Sequence, residues 1–202
     1  EGVMPPRGSQ GFIESFSVVP GKYNAKLSYG DYEKISSFEI LPDPRNKIDE
    51  SHFTRKSVLM KDIHDDIHDI YSSLKKMQSA RDQLDDLESR LSDEKFSKIS
   101  ELSKSTVKLI DDTELKLISP KQKTFQDVIN FRNQLDAQFL DLLSKVDGNV
   151  PPITSGELTR YKDLKSEWLK IKTGYNQVVS NIQDINKMLI ESSVPFISRG
   201  GE

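Results

Sequence analysis

Between Phe12 and Leu41 apolar residues alternate with polar ones, whereas from Glu50 onward they recur every three or four residues. The first pattern is that of half-buried strands and the second that of amphipathic helices. Three strands are expected. Phe12, Phe16 and Val18 share one parity. Tyr23, Ala25, Leu27 and Tyr29 alternate with Asn24, Lys26 and Ser28, and within Tyr32 to Leu41 Phe38 and Ile40 alternate with Ser37 and Glu39. Pro20-Gly21 supplies the fixed and the positive φ of a type II turn, and Gly30-Asp31 suits a second tight reversal. Upstream, Glu1 to Gly11 reads as an irregular leader punctuated by Pro5, Pro6 and Gly8.

Pro42 and Pro44 cannot donate ladder hydrogen bonds, so the sheet stops there and the period changes. The first helix is expected from near Glu50 to Leu91. Its seam runs through Ile63, Ile67, Ile70, Leu74, Met77, Leu84 and Leu91, interrupted by Arg81 and Glu88. A stripe repeating every 3.5 residues hides only against other helices. At 1.5 Å per residue this helix would be about 60 Å long. A second helix is expected from about Ser92 to Leu117 on Phe96, Ile99, Leu102, Leu109 and Leu117, ended by Ser119-Pro120. Whether it is continuous with the first is open. A third, from about Thr124 to Val146, uses Val128, Phe131, Leu135, Phe139, Leu142 and Val146, with Gly148 suited to its C-terminus. Thr154-Ser155-Gly156-Glu157 has the spacing of a capping box. It opens a fourth helix whose stripe, Leu158, Tyr161, Leu164, Trp168, Ile171, Tyr175, Val178, Ile182, Ile185 and Leu189, lasts to about Glu191.

The expected fold is therefore mainly α, an antiparallel four-helix bundle with two long helices behind a short three-stranded antiparallel β meander. Four helices joined by short loops alternate in direction, so the two long ones, first and last, are expected to run antiparallel. Residues 1–46 would be a partial β-sandwich element and linker, and 47–202 the bundle. Three strands fall short of the roughly seven of an immunoglobulin-like sandwich. Phe16, Val18, Tyr23, Leu27, Phe38 and Ile40 are accordingly expected to dock on one end of the bundle, with pairing to a second copy as the alternative.

Composition narrows the classes. The 202 residues carry 29 Lys plus Arg against 32 Asp plus Glu, a net charge of -3, and no basic run interleaved with aromatics, which argues against nucleic-acid binding. No apolar stretch reaches the roughly 20 residues of a membrane span. Cys is absent, so disulfides and thiolate metal sites are excluded. The opening Glu1-Gly2 reads as the start of a processed protein or of a piece of a longer one.

Candidate chemistry is sparse. His64 and His68, one helical turn apart among Asp62, Asp65, Asp66 and Asp69, have the spacing of a shared metal. They depart from H-E-x-x-H, because Asp65 stands in the Glu position, and the better reading is a solvated face beside the seam, with no metal. Gly21-Lys22 is no phosphate loop, since Phe16 stands where its first Gly should be and Tyr23 replaces Ser or Thr. No nucleophile elbow or dinucleotide fingerprint occurs. Tyr161, Trp168 and Tyr175, at steps of seven, continue an aliphatic line and read as core. Asp82, Asp85, Asp86 and Glu88 read as a solvated face supported by Arg81 and Arg90. No catalytic residue, cofactor site or metal site is assigned.

Val19-Pro20-Gly21-Lys22-Tyr23-Asn24-Ala25-Lys26-Leu27, followed by Ile40-Leu41-Pro42-Asp43-Pro44-Arg45 and a long helical region closing on Asn186-Lys187-Met188-Leu189, resembles the C-terminal region of bacterial exported β-propeller proteins. These are labelled sortilin-like or glycosyl-hydrolase-like repeat proteins. In that family a P-G-x-Y-x-x-x-L strand and a D-P-R junction end an immunoglobulin-like sandwich before a helical segment. The resemblance implies an extracytoplasmic setting and a propeller upstream of Glu1, so no functional residue of the family falls in this chain. The expected function is a non-enzymatic structural or interaction module whose partner is the upstream domain or another protein. An accessory domain of a hydrolase with its active site upstream is the alternative.

Overall fold

The computed structural model describes residues 15–91, 94–122, 124 and 127–192. Two strands, β1 (Gly21–Tyr29) and β2 (Tyr32–Ile40), precede α1 (Glu50–Arg90), a 3-10 turn (Glu94–Phe96), α2 (Ser97–Leu117), a single turn α3 (Asp127–Asn130), α4 (Leu135–Gly148) and α5 (Ser155–Glu191). The protein is thus mostly helical, with a two-stranded antiparallel sheet.

The helix ends follow local chemistry. The Asp49 carboxylate accepts from Ser51 N at 2.8 Å and caps α1. At α5 Glu157 N donates to Thr154 Oγ1 at 3.2 Å while Thr154 N donates to Glu157 Oε2 at 2.7 Å, the reciprocal pair of a capping box. The α1 seam residues Ile63, Ile67, Ile70, Leu74, Met77, Leu84 and Leu91 are all buried. Leu164, Trp168, Val178, Ile182, Ile185 and Leu189 of α5 join the same core, with Tyr161 and Tyr175 half-buried against it.

Helix direction departs from expectation. Along α1 and α5 the contacts advance together: Tyr161 Oη donates to Asp66 at 3.0 Å, and Trp168 Nε1 donates to Asp69 at 3.0 Å. The two long helices are parallel. Both α2 and α4 run the other way. Gln78 reaches Glu114 and Glu88 reaches Ser100 on α2, while Tyr71 reaches Asp136 at the start of α4 and Lys56 reaches Asp147 near its end. The end of α2 and the start of α4 therefore face neighbouring turns of α1, and the two short helices continue in one direction as a single interrupted leg. At any level three helices meet, in up-down-up order, in place of the expected four alternating ones. The reason is coverage. A helix of 21 residues or of 14 cannot hide a seam of 41, whereas the two placed end to end can.

The expected third helix is also broken. Phe131 to Gln134 lie outside helix, between α3 and α4. Gln122, itself buried, donates from Nε2 to the Phe131 carbonyl at 2.8 Å and to Asn133 Oδ1 at 3.0 Å, taking up a backbone acceptor that a continuous helix would have used. Phe12 and the side chain of Val128 fall outside the described residues.

Candidate interaction site: the projecting hairpin

The sheet pairs Gly21 with Ile40 and continues in regular register to Tyr29 opposite Tyr32. Gly30 and Asp31 form the two-residue turn, and Gly30 takes φ 55°, a value cheap only for residues tolerant of the left-handed region. Because opposed residues share a face, Tyr23, Leu27, Tyr29, Tyr32, Phe38 and Ile40 lie on one side. Lys22, Lys26, Glu33 and Glu39 lie on the other, where Lys26 and Glu33 pair at 2.6 Å.

Among the described residues the expected first strand is not seen. Residues 15–19 have no strand structure and instead anchor to the bundle: the Phe16 ring meets His64 edge-on at 5.6 Å, and Ser17 donates from N and Oγ to the Asp147 carboxylate at 3.1–3.3 Å. Tyr23 Oη donates to Val19 O at 2.5 Å and its ring stacks on Phe38, which fixes the hairpin root. Beyond the root no helix packs on either strand among the described residues. Leu27 is 64% exposed, Tyr29 84% and Phe38 48%. Of the side chains expected to dock on the bundle, Phe16 packs against its core, whereas Val18, Leu27 and Phe38 are exposed. The three legs bury their main apolar stripes on one another, and the hairpin joins α1 through the proline-containing Pro42 to Arg45 segment, where Arg45 grips Asp43 with bonds of 2.6–3.1 Å. The result is a ribbon with one apolar face and two edges that no described residue pairs, a surface to which another strand or sheet can add.

Of the charged residues singled out from the sequence, Asp62, Asp65, Asp82, Asp85 and Asp86 are exposed as expected, whereas Asp66, Asp69, Arg81 and Glu88 clip helices together. Asp66 is buried and accepts from Tyr161 Oη and from Lys165 Nζ. Asp69 accepts from Trp168 Nε1 and from Lys172 Nζ at 2.5 Å, and the Lys172 ammonium lies 5.6 Å from the Trp168 ring centre. Burial and the Asp66 carboxylate push the Tyr161 phenol above its ordinary range. Arg81, expected to support the acidic face of its own helix, instead donates to Asp111 at 3.0 Å and Glu114 at 2.6 Å on α2, and Glu88 receives Ser100 and Lys104 of the same helix. Arg90 does pair with Asp86 along α1, at 3.2 Å. The signal for Asp66 and Asp69 was their position one residue before seam isoleucines, matched by Lys165 and Lys172 beside the α5 aromatics.

His64 is half-buried against Phe16 and His68 is exposed. Among the described residues no group of three His, Cys, Asp or Glu side chains is placed to hold a metal, and no helix is long and apolar enough to cross a membrane. No protein-family model, curated protein or solved structure matches the chain.

Proposed function

We propose that this chain is a non-enzymatic interaction module of a larger exported bacterial protein, in which the hairpin completes a sheet of the domain preceding it and the helices form a rigid spacer behind. The carrying observation is the hairpin itself, whose apolar face and edges have no cover from the bundle. A ribbon of two strands is marginal alone in water, so persistence of this one calls for a partner sheet. The resemblance of residues 19–45 to the close of an immunoglobulin-like sandwich gives that partner a character: strands upstream of Glu1 in the parent protein, whose propeller would lie further upstream and outside the cytoplasm.

The reading is tested by binding the separately produced upstream segment to the chain and to Leu27→Glu/Phe38→Glu. Because neither side chain touches a helix, the double variant should keep the parent's helical circular dichroism and melting temperature. Its affinity should fall by about tenfold or more, since each substitution removes an apolar contact worth about 1–2 kcal/mol. Equal affinity for both proteins refutes the proposal, as does a gene with its initiator Met directly before Glu1.

A further inference from the structure

A second feature lies at the end of the bundle where α1 and α5 begin, and it is independent of the hairpin. A cleft of about 470 Å³ opens there between the two helices. Val58 and Leu59 of α1, Pro152 and Ile153 of the preceding loop, and Leu158 and Tyr161 of α5 form its walls. Val58 is 55% exposed and Leu158 42%, so both present carbon to the cleft rather than to the core. The Tyr161 hydroxyl is turned inward to Asp66, so its ring offers the cleft carbon rather than oxygen. The volume falls in the range of small-molecule sites, about 300–1,000 Å³, and a mostly apolar wall with few polar groups is their usual makeup.

The polar groups are sorted by sign along α1. Arg55, Val58, Leu59 and Asp62 follow at intervals of three, four and seven residues and so share one helix face. His52 and Arg55 stand at one end and Asp62 at the other. Arg55 has no hydrogen bond or ion pair with any described residue; the Asp49 carboxylate, which caps Ser51 N, feels both Arg55 and His52 only through space. The remaining charges nearby are also occupied: Lys56 donates to the carbonyls of Asp147 and Asn149 at 2.7 and 2.8 Å, and Glu157 is held by Thr154 and Asn149. An apolar trough with a guanidinium unpaired among the described residues at one end and a carboxylate at the other selects both the sign and the orientation of its occupant.

We infer that the cleft binds a small amphiphilic monocarboxylate, its chain lying over Val58, Ile153 and Leu158 and its headgroup on Arg55 with His52 beside it. Asp62 excludes the opposite orientation by like-charge repulsion. Calorimetric titration of the full chain with sodium decanoate should give saturable one-to-one binding. Leu158→Asp should abolish it, and because Leu158 is exposed the melting temperature should barely move. Arg55→Gln should weaken decanoate by about fivefold or more, the loss of a partly solvated charged hydrogen bond, while leaving 1-decanol unchanged. The inference is overturned if decanoate shows no saturable binding, if Leu158→Asp binds as the parent does, or if Arg55→Gln weakens decanoate and decanol alike. None of these results depends on the hairpin.

Discussion

Asp136 offers the sharpest test of the packing. It sits in the first turn of α4, 2% exposed, where that helix meets the middle of α1. Its carboxylate accepts from Ala137 N at 2.6 Å and from Tyr71 Oη at 3.0 Å, and no cation pairs with it among the described residues. Burial, only partly offset by these hydrogen bonds, raises its pKa from 3.8 to about 6. The sign follows from which state holds the proton more tightly. A folded pKa above the unfolded one means that the native state binds the proton better, so this residue stabilises the fold when neutral and withholds stability when ionised. Its contribution falls as pH rises from about 4 to about 6, and at pH 7.5 the shift of about two units corresponds to roughly 3 kcal/mol withheld. In Asp136→Asn the amide can keep both contacts, its oxygen accepting from Ala137 N and its NH₂ donating to the Tyr71 oxygen. The α4 dipole, which favours a carboxylate at this position by about 0.3–1 kcal/mol, reduces the gain. The net expectation is a variant more stable by about 2 kcal/mol at pH 7.5, or about 4–8 °C in melting temperature for a chain of this size, with the advantage nearly gone at pH 4. Urea denaturation followed by circular dichroism at both pH values measures it. A variant less stable than the parent at pH 7.5, or a difference that does not change with pH, would refute the reasoning.

Two further substitutions probe how the legs meet. A Cβ on Gly174 would lie 2.7 Å from Thr113 Oγ1, itself donating to Leu109 O, so Gly174→Val should force α2 and α5 apart and cost about 1–3 kcal/mol. Gly156→Ala, with no atom nearer than 3.8 Å, should instead stabilise by about 0.5–1 kcal/mol through helix propensity; equal effects in thermal melts would contradict the close crossing. Ile67→Asp places an unpaired charge in the seam beside the already buried Asp66 and should cost about 3–5 kcal/mol in urea denaturation, and an unchanged midpoint would mean that a different face is buried.

What could be read from the sequence was local. Period and capping chemistry located α1, α2 and α5: the Glu50 start, the Leu117 end before Ser119-Pro120, and the Thr154–Glu157 box all depend on residues within a turn or two of each other. The Gly30-Asp31 reversal belongs to the same class, as does the burial of the seam from Ile63 to Leu91. What sequence could not supply was partnership. Ser119-Pro120 signals that a helix stops, but whether the chain then reverses or resumes in the same direction depends on which surface remains uncovered, and here that surface was the first half of α1. The break at Phe131 to Gln134 needed Gln122 folded back onto the Phe131 carbonyl, a contact that no periodicity encodes. Asp66, Asp69 and Arg81 resemble solvated charges in a helical pattern, and only the neighbouring helix, by placing Lys165, Lys172 and Glu114 opposite them, turned them into interhelix clips. The hairpin's alternation likewise predicted an apolar face without saying what would cover it. Tertiary packing decided that, because the three legs bury their main apolar stripes on one another and none of the helices packs on the strands among the described residues.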